Sequence, residues 1–404
     1  MGKRILFLTP QMPYPPQQGT AIRNYNLMAQ VASRHEVHLL SFAENPPSRE
    51  QLGALGKVCA TVRSVQAPIR TRLGRVWALA TSSLPDIAFR LDSPAFRQEL
   101  QSVLRELQPD VVQLEGLEMA AYGTLTTSAA PATRLVYDGH NAEYLLQKRI
   151  FQADAKRPGR WPGAAYSLLQ WKRLQRYEAD TCRNVSHVIA CSASDAAALQ
   201  EIAPGVLPII VPNGVDTELF RPGVVPAMQL GVQAMVFTGK MDFRPNVDAM
   251  LWFAQSVLPL IRERSPSAHL YVVGKNPHAR LAALRANPGV TLTGYVEDVR
   301  PYVRGAAVYV VPLLTGGGTR LKVLEAMAMA KALVTTALGC EGIDAEPGRD
   351  LVVADNPGAF AEQVLALFSD EARAARLGQA ARDFVVAHFD WRSVTRQLDV
   401  VYDA

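Results

Sequence analysis

Apolar residues in this chain come in short runs separated by longer stretches of helical periodicity. The first run, Arg4-Ile5-Leu6-Phe7-Leu8-Thr9, is apolar at consecutive positions, as expected of a parallel strand covered on both faces. Four prolines in 10–19 rule out a helix there, and from Thr20 a helical pattern puts Ile22, Leu27 and Val31 on one side. Further strands are predicted at 36–42, 58–62, 110–114, 134–138, 187–191 and 209–211, with helical patterns between many of them, notably 93–107 and 194–202. A second series then begins with 234–238, ahead of Gly239-Lys240, and continues with strands at 270–274, 290–294, 308–312, 333–336 and 351–354. Helices are predicted among them at 246–264 and 357–368.

Alternation of this kind means parallel sheets with helices on both faces, so the chain reads as two α/β domains of similar construction. The expected layout is a first domain over 1–211, a joint over 212–226, a second domain over 227–385 and a closing helix over 386–404. The joint is rich in turn formers: Pro212, Gly214, Pro222, Gly223 and Pro226. The helical tail, 372–402, carries Trp391, Val394, Leu398 and Val401 on one face, which needs burial, and the first domain is the expected place.

Composition agrees with two soluble domains: 404 residues, 49% hydrophobic and 20% charged. A net charge of +5 points to anionic ligands or an anionic surface without choosing between them. Cys59, Cys182, Cys191 and Cys340 are far apart and form no CxxC, which argues against a zinc site or disulfide framework. The apolar run after Lys3-Arg4 is too short for a signal peptide, and no run reaches the roughly 18 apolar residues of a membrane span. A cytoplasmic protein is expected. Two basic stretches interrupt this picture. Arg63, Arg70, Arg72 and Arg75 precede Trp77, while Lys148, Arg149, Lys156, Arg157, Arg160, Lys172, Arg173 and Arg176 interleave with Trp161, Tyr166 and Trp171. They read as a peripheral contact with an anionic membrane or as solvated helical faces; no nucleic-acid motif accompanies them.

The candidate chemistry centres on 315–330. An apolar strand passes through Gly316-Gly317-Gly318 into a segment of helix-forming residues that opens at Thr319. Strand, glycine turn and helix start make an anion site, because the first helical N–H groups lack internal partners. Lys322 and Glu325, three apart, project together: a cation for phosphate and a carboxylate for sugar hydroxyls, or simply a solvated pair.

These residues resemble glycosyltransferase family 4. Val211-Pro212-Asn213-Gly214-Val215-Asp216-Thr217-Glu218-Leu219-Phe220 is similar to that family's interdomain signature. Gly274, Gly294-Tyr295-Val296, Pro312 and Leu324-Glu325-Ala326-Met327-Ala328 fall in the family's order. So do Tyr137-Asp138-Gly139-His140-Asn141-Ala142-Glu143 and Ala190-Cys191-Ser192, and the similarity spans essentially the whole chain. The proline-rich first loop and the Gly-Gly-Gly-Thr-Arg variant look most like the branch tied to bacterial exopolysaccharide loci, including those of the exosortase (PEP-CTERM) system.

The resemblance implies the GT-B fold: two Rossmann-like, doubly wound domains facing across a cleft, with the last helix crossing back to the first. It implies a nucleotide-diphosphate sugar bound by the second domain, a glycan or lipid-linked acceptor at the first, retention of anomeric configuration, and neither metal nor cofactor. The chain has no Asp-x-Asp triplet, in line with a metal-free diphosphate. By the same resemblance His140, Lys240, Lys322 and Glu325 are the catalytic candidates. Gly19, Arg244, Gly294, Tyr295, Val296, Gly317, Gly318, Thr319 and Arg320 are expected to hold the donor. Arg23, Glu115, Asn141 and Glu143 are expected on the acceptor side. Two positions depart from the family: Asn246 stands where many members have lysine, and Gly317 where they have the first of paired glutamates. Alternatives are a degenerate protein that binds nucleotide sugar without turnover, and an epimerase or hydrolase on the same fold. A nicotinamide dehydrogenase is disfavoured by the absence of G-x-G-x-x-G in the first glycine loop.

Overall fold

The computed structural model describes residues 2–17, 19–69, 71, 81–156, 159, 161–316 and 320–403. They form two compact units, Met1–Pro212 with Thr395–Ala404, and Asn213–Val394.

The first unit is built on β1 (Arg4–Thr9), β2 (Glu36–Ala43), β3 (Thr61–Gln66), β4 (Val111–Glu115), β5 (Arg134–Gly139), β6 (His187–Ala190) and β7 (Ile209–Ile210). All neighbours pair in parallel in the order β3-β2-β1-β4-β5-β6-β7. Consecutive burial along Ile5, Leu6, Phe7 and Leu8 shows why β1 lacks alternation: helices cover both faces. Chain order reverses between β1 and β4, where Leu8 lies opposite Leu114. β3 starts later than the pattern 58–62 suggests. The amides of Val58 and Cys59 bond back to Leu55 and finish the turn of helix Arg49–Leu55, so pairing begins only when Ala60 reaches Val37.

The tail is not one helix. Helix Glu371–His388 ends at Phe389, whose carbonyl accepts the amide of Val215 at 2.8 Å. Asp390 then caps a new short helix, Trp391–Val394, by accepting the amide of Arg392 at 2.9 Å. Trp391 and Val394 therefore stay with the second unit, where Trp391 lies against Gly214. The same contacts hold the segment read as a joint, from Asn213 onward, in the second unit. Only from Thr395 does the chain join the first unit. There Leu398, Val401 and Tyr402 are fully buried, and the Tyr402 hydroxyl donates to Gln113 Oε1 on β4.

The second unit holds β8 (Ala234–Thr238), β9 (His269–Val273), β10 (Val290–Gly294), β11 (Val308–Val311), β12 (Leu333–Thr335) and β13 (Val352–Val353). They are all parallel in the order β10-β9-β8-β11-β12-β13, reversing between β8 and β11. The helical stretch 246–264 is interrupted. Helix Arg244–Trp252 passes through one π-turn, Phe253–Val257, before helix Leu258–Arg264. Pro259 has no amide for an α-helical bond and its ring crowds the preceding turn, and the wider turn absorbs both.

Backbone approach fixes one glycine beyond doubt. A Cβ on Gly274, just past β9, would fall 1.7 Å from the Gly239 carbonyl oxygen. Gly274→Ala is expected to destabilise the second unit by about 1–3 kcal/mol through overpacking, read as a lower urea midpoint at unchanged slope.

Candidate functional site

In open parallel sheets, ligands sit beyond the carboxyl ends of the strands where strand order reverses. In the second unit that place is flanked by Gly239-Lys240, after β8, and by the segment that leads from β11 into helix Leu321–Ala328. Gly239 clears the centre: a Cβ there would meet Lys322 Nζ at 2.7 Å and Asn246 Nδ2 at 2.9 Å. Asn246 Nδ2 donates to the Lys240 carbonyl at 2.9 Å, which turns Asn246 Oδ1 to accept Lys322 Nζ, also at 2.9 Å. The ammonium lies 4.0 Å over the Phe237 ring. Among the described residues no carboxylate comes within ion-pair distance of Lys322. Burial, with the charge of Arg320 adding to it, pushes the Lys322 ammonium down to about 7, although Glu325 pulls the other way. Burial also pushes the Glu325 carboxyl up to about 7 against the pull of Lys322, and its side chain has no hydrogen-bond partner among the described residues.

The structure thus brings Lys322, Glu325, Gly239 and Asn246 together. Lys240 is exposed, its ammonium 3.7 Å from Asp242, and Arg244 is exposed with its Nε 3.5 Å from Asp248. Gly294 ends β10 in the left-handed region, φ +73°, Tyr295 is largely exposed, and Val296 packs on the core. Helix Leu321–Ala328 begins two residues later than expected, with Arg320 at the cap position. Gly317, Gly318 and Thr319 lie outside the described residues.

The reversal point of the first unit is differently filled. At the ends of β4 and β5, Glu115 and Asp138 lie side by side as register partners, both fully buried. Two buried carboxylates need partners. Arg23, from helix Gly19–Val31, supplies a two-point contact to Asp138: Nε to Oδ2 and Nη2 to Oδ1, each 2.9 Å. Burial works against the Arg23 charge, and the Asp138 carboxylate more than offsets it. Glu115 Oε1 accepts Gln113 Nε2 at 2.7 Å, and Oε2 meets His140 Nε2 at 2.9 Å. Asn24, with its amide oriented to satisfy both groups, donates to Glu115 Oε2 at 2.8 Å and to the Thr20 carbonyl at 3.1 Å. Burial lowers the His140 imidazole, but the Glu115 hydrogen bond and the Asp138 and Glu115 charges outweigh it and raise its pKa. Burial, and then Asp138, raise that of Glu115.

Arg23 and Glu115, read from the sequence as acceptor-side residues, are therefore closed off from any ligand; they set the orientation of His140. Glu115, Asp138 and His140 bring ligand-type atoms within 4.8 Å of one another, yet both Asp138 oxygens already receive Arg23. The Nδ1 side of His140 faces a pocket lined also by Gly116, Glu118, Tyr137, Asn141 and Glu143. Gly19 is exposed at its helix start, with open space where a Cβ would stand. Asp138 had no role of its own in the motif reading, Gln113 and Asn24 were not singled out, and Asn246 entered only as a departure from the family's lysine. Acids at the ends of two predicted neighbouring strands were the available signal for the first: they demand a cation from elsewhere in the chain.

Asp138→Asn leaves the Arg23 charge buried without its counter-ion and is expected to lower unfolding free energy by about 3–5 kcal/mol in urea titrations.

Residues 18–219 match the family model described as Glycosyltransferase Family 4, and residues 233–370 that described as Glycosyl transferases group 1. An uncharacterized 44.6 kDa protein in the cps region of Klebsiella pneumoniae is 20% identical over 400 residues, 97% of each chain. A phosphatidyl-myo-inositol mannosyltransferase of Mycolicibacterium smegmatis is 27% identical over 201 residues, 48% of this chain and 51% of that one. The crystal structure of Anabaena Alr3699/HepE in complex with UDP and glucose superposes with a TM-score of 0.68 at 16% identity, over 99% of both chains. With half of its length under the first of these family models and two parallel-sheet units of the GT-B kind, the chain belongs to glycosyltransferase family 4.

Proposed function

We propose that this glycosyltransferase moves a sugar, with retention and without a metal, from a nucleotide-diphosphate sugar to a hydroxyl of a glycan or lipid-linked acceptor in bacterial exopolysaccharide synthesis. The observation that carries the donor reading is Lys322: a desolvated ammonium at the reversal point, held by an amide and a ring and left without a counter-charge among the described residues. Departure of a diphosphate builds negative charge, and a cation fixed in advance stabilises it with no reorganisation. Lys240 and Arg244, on the loop and helix start after β8, supply further charge, and so does Arg320 at the start of helix Leu321–Ala328. Glu325 accepts ribose hydroxyls, while Gly294-Tyr295-Val296 take the base. The UDP and glucose of the Anabaena structure and the cps-region relative support this assignment of substrate class.

The proposed step is a front-face displacement. The acceptor oxygen bonds to the anomeric carbon on the side from which the sugar–phosphate bond breaks, and the departing phosphate oxygen takes the acceptor's proton. No carboxylate nucleophile takes part. His140, held at Nε2 by Glu115, offers Nδ1 to a sugar hydroxyl.

A lipid-linked acceptor is favoured by helix Trp161–Arg183. Its inner face buries Ala164, Ser167, Gln170, Leu174 and Glu178, yet Trp161 (62% exposed), Leu168, Leu169, Lys172 and Arg176 share the outer face. An apolar and cationic outer face suits an anionic bilayer. Arg70, Arg72, Arg75, Trp77, Arg157 and Arg160 lie outside the described residues, and no described helix is long and apolar enough to cross a membrane.

Two experiments test these readings. Binding of a nucleotide-diphosphate sugar, found by a thermal-shift screen, protonates Lys322, whose free ammonium sits near 7. Titration calorimetry in buffers of different ionisation enthalpy is expected to show proton uptake at pH 8 that vanishes or reverses by pH 6, where Lys322 is already charged and Glu325 is still protonated. Lys322→Ala removes the uptake and lowers turnover by about two to three orders of magnitude; unchanged turnover takes Lys322 out of the site. On sedimentation with phosphatidylglycerol vesicles, Lys172→Ala and Arg176→Ala are each expected to weaken binding about fivefold. Equal binding to uncharged phosphatidylcholine vesicles removes the membrane reading.

A further inference from the structure

The hydrogen bond that holds His140 is the last of a buried series that begins in the final helix, Gln397–Asp403. The Tyr402 hydroxyl meets Gln113 Oε1 at 2.5 Å, Gln113 Nε2 meets Glu115 Oε1 at 2.7 Å, and Glu115 Oε2 meets His140 Nε2 at 2.9 Å. Tyr402, Gln113 and Glu115 are fully buried, so bulk water replaces none of these links. The helix is pinned from behind. Arg134 Nη1 donates to the Tyr402 carbonyl at 2.6 Å, Lys3 Nζ donates to the same oxygen, and the His35 ring stands edge-on to the Tyr402 ring with centroids 5.8 Å apart.

Each link has one polarity. A carboxylate only accepts, so Gln113 turns its NH2 to Glu115 and its oxygen to Tyr402, whose hydroxyl must donate. Three donors then converge on Glu115: Gln113 at one oxygen, Asn24 and His140 at the other. Their number decides where the protons sit. Burial, and then the Asp138 charge, favour the neutral acid, and hydrogen bonds to the charged form oppose them. In mildly acidic solution the Glu115–His140 pair holds two protons, and with all three donors present both are on the ring, imidazolium beside carboxylate. If a donor is lost, the proton on Nε2 passes to Glu115, and the ring is left neutral with its one proton on Nδ1. At higher pH the intact pair keeps a single proton, on Nε2, and the bare Nδ1 faces the pocket as an acceptor. The other charges near the pair, Arg23, Asp138, Glu118 and Glu143, do not touch Tyr402 or Gln113, so a change in the series reaches His140 through the amide.

Resting on the reading of His140 as the residue that meets a sugar hydroxyl, we propose that Tyr402 and Gln113 are positioning residues for it. The O–H of Tyr402 fixes the Gln113 amide, the amide keeps Glu115 ionised, and the carboxylate holds the imidazole proton at Nε2 with Nδ1 turned to the pocket. The final helix is therefore part of the chemistry of the first unit as well as of its core.

The test is nitrogen-15 NMR of the histidine rings in the full chain, with His140→Asn used to identify the resonances. In the unaltered protein the His140 ring is expected to carry protons on both nitrogens at pH 6, since its pKa is raised, and on Nε2 alone once it is neutral. Tyr402→Phe keeps the ring and removes only the donor. It is expected to shift the pH 6 population about three- to tenfold toward the neutral ring with its proton on Nδ1, as loss of one hydrogen bond does. Gln113→Leu, which removes the amide itself, should shift it at least as far; if that variant does not fold, Tyr402→Phe decides alone. Leu398→Ala loosens the packing of the same helix and is expected to lower the unfolding midpoint without moving the ring protons. In turnover, Tyr402→Phe should lower kcat about three- to tenfold at unchanged KM for the nucleotide-diphosphate sugar, whose site is in the second unit. The proposal is overturned if Tyr402→Phe leaves the ring protons where they were, or if Leu398→Ala moves them as far. A shifted ring in a protein that turns over no nucleotide-diphosphate sugar keeps the series and removes the transferase reading; turnover with an unshifted ring removes the proposal alone.

Discussion

A parallel strand covered by helices on both faces has nowhere to put a polar side chain except near its carboxyl end. Most strands obey that constraint, and the buried exceptions, Gln113 in β4 and His38 in β2, find hydrogen-bond partners. The interiors of β1, β8 and β11 are apolar throughout, and the groups with chemistry come at strand ends or in the loops just beyond: Glu115, Asp138 and His140 in one unit, Gly239, Lys240 and the approach to Lys322 in the other. Reversal of strand order, between β1 and β4 and between β8 and β11, then decides which of those ends stand apart far enough to leave a crevice.

The two crevices treat charge in opposite ways. In the first unit, buried acids are matched almost completely: Arg23 takes both oxygens of Asp138, while Gln113, Asn24 and His140 take those of Glu115. The network is rigid and spends its charges internally, and its product is a fixed imidazole edge. In the second unit, Lys322 has lost much of its water and received only an amide oxygen and an aromatic face in return. A cation kept so is poorly solvated at rest and gains most when an anion arrives.

Much of this was legible in the residues. The runs at Arg4–Thr9 and Val290–Gly294 are strands with those ends, and Ser93 caps the helix that its pattern announced. The departures have local causes that periodicity does not carry. Val58 and Cys59 are apolar and β-prone, yet two backbone bonds to Leu55 keep them in a helix end. Phe389 and Asp390 fit a helical pattern, but pairing with Val215 is a contact with a distant part of the chain. The site was harder. Arg23 is an ordinary basic residue on a helix until folding sets it beside Asp138, and nothing near it in sequence announces that partner. The sequence singled out His140, Glu115 and Lys322 but neither the bond between the first two nor the amides of Gln113, Asn24 and Asn246 around them, because those contacts are made only when distant elements meet.

The return of the last residues to the first unit has a consequence for how the protein is made. Tyr402 completes the hydrogen bonding of Gln113, and Leu398 and Val401 fill space that no earlier segment occupies. Synthesis runs from the amino end, so the unit made first must wait, with part of its interior open to water, until translation of the other has finished. Its companion needs no segment from beyond Val394 to close its own core. Loss of Leu398 to Tyr402 would thus spare the later-made unit and injure the earlier one.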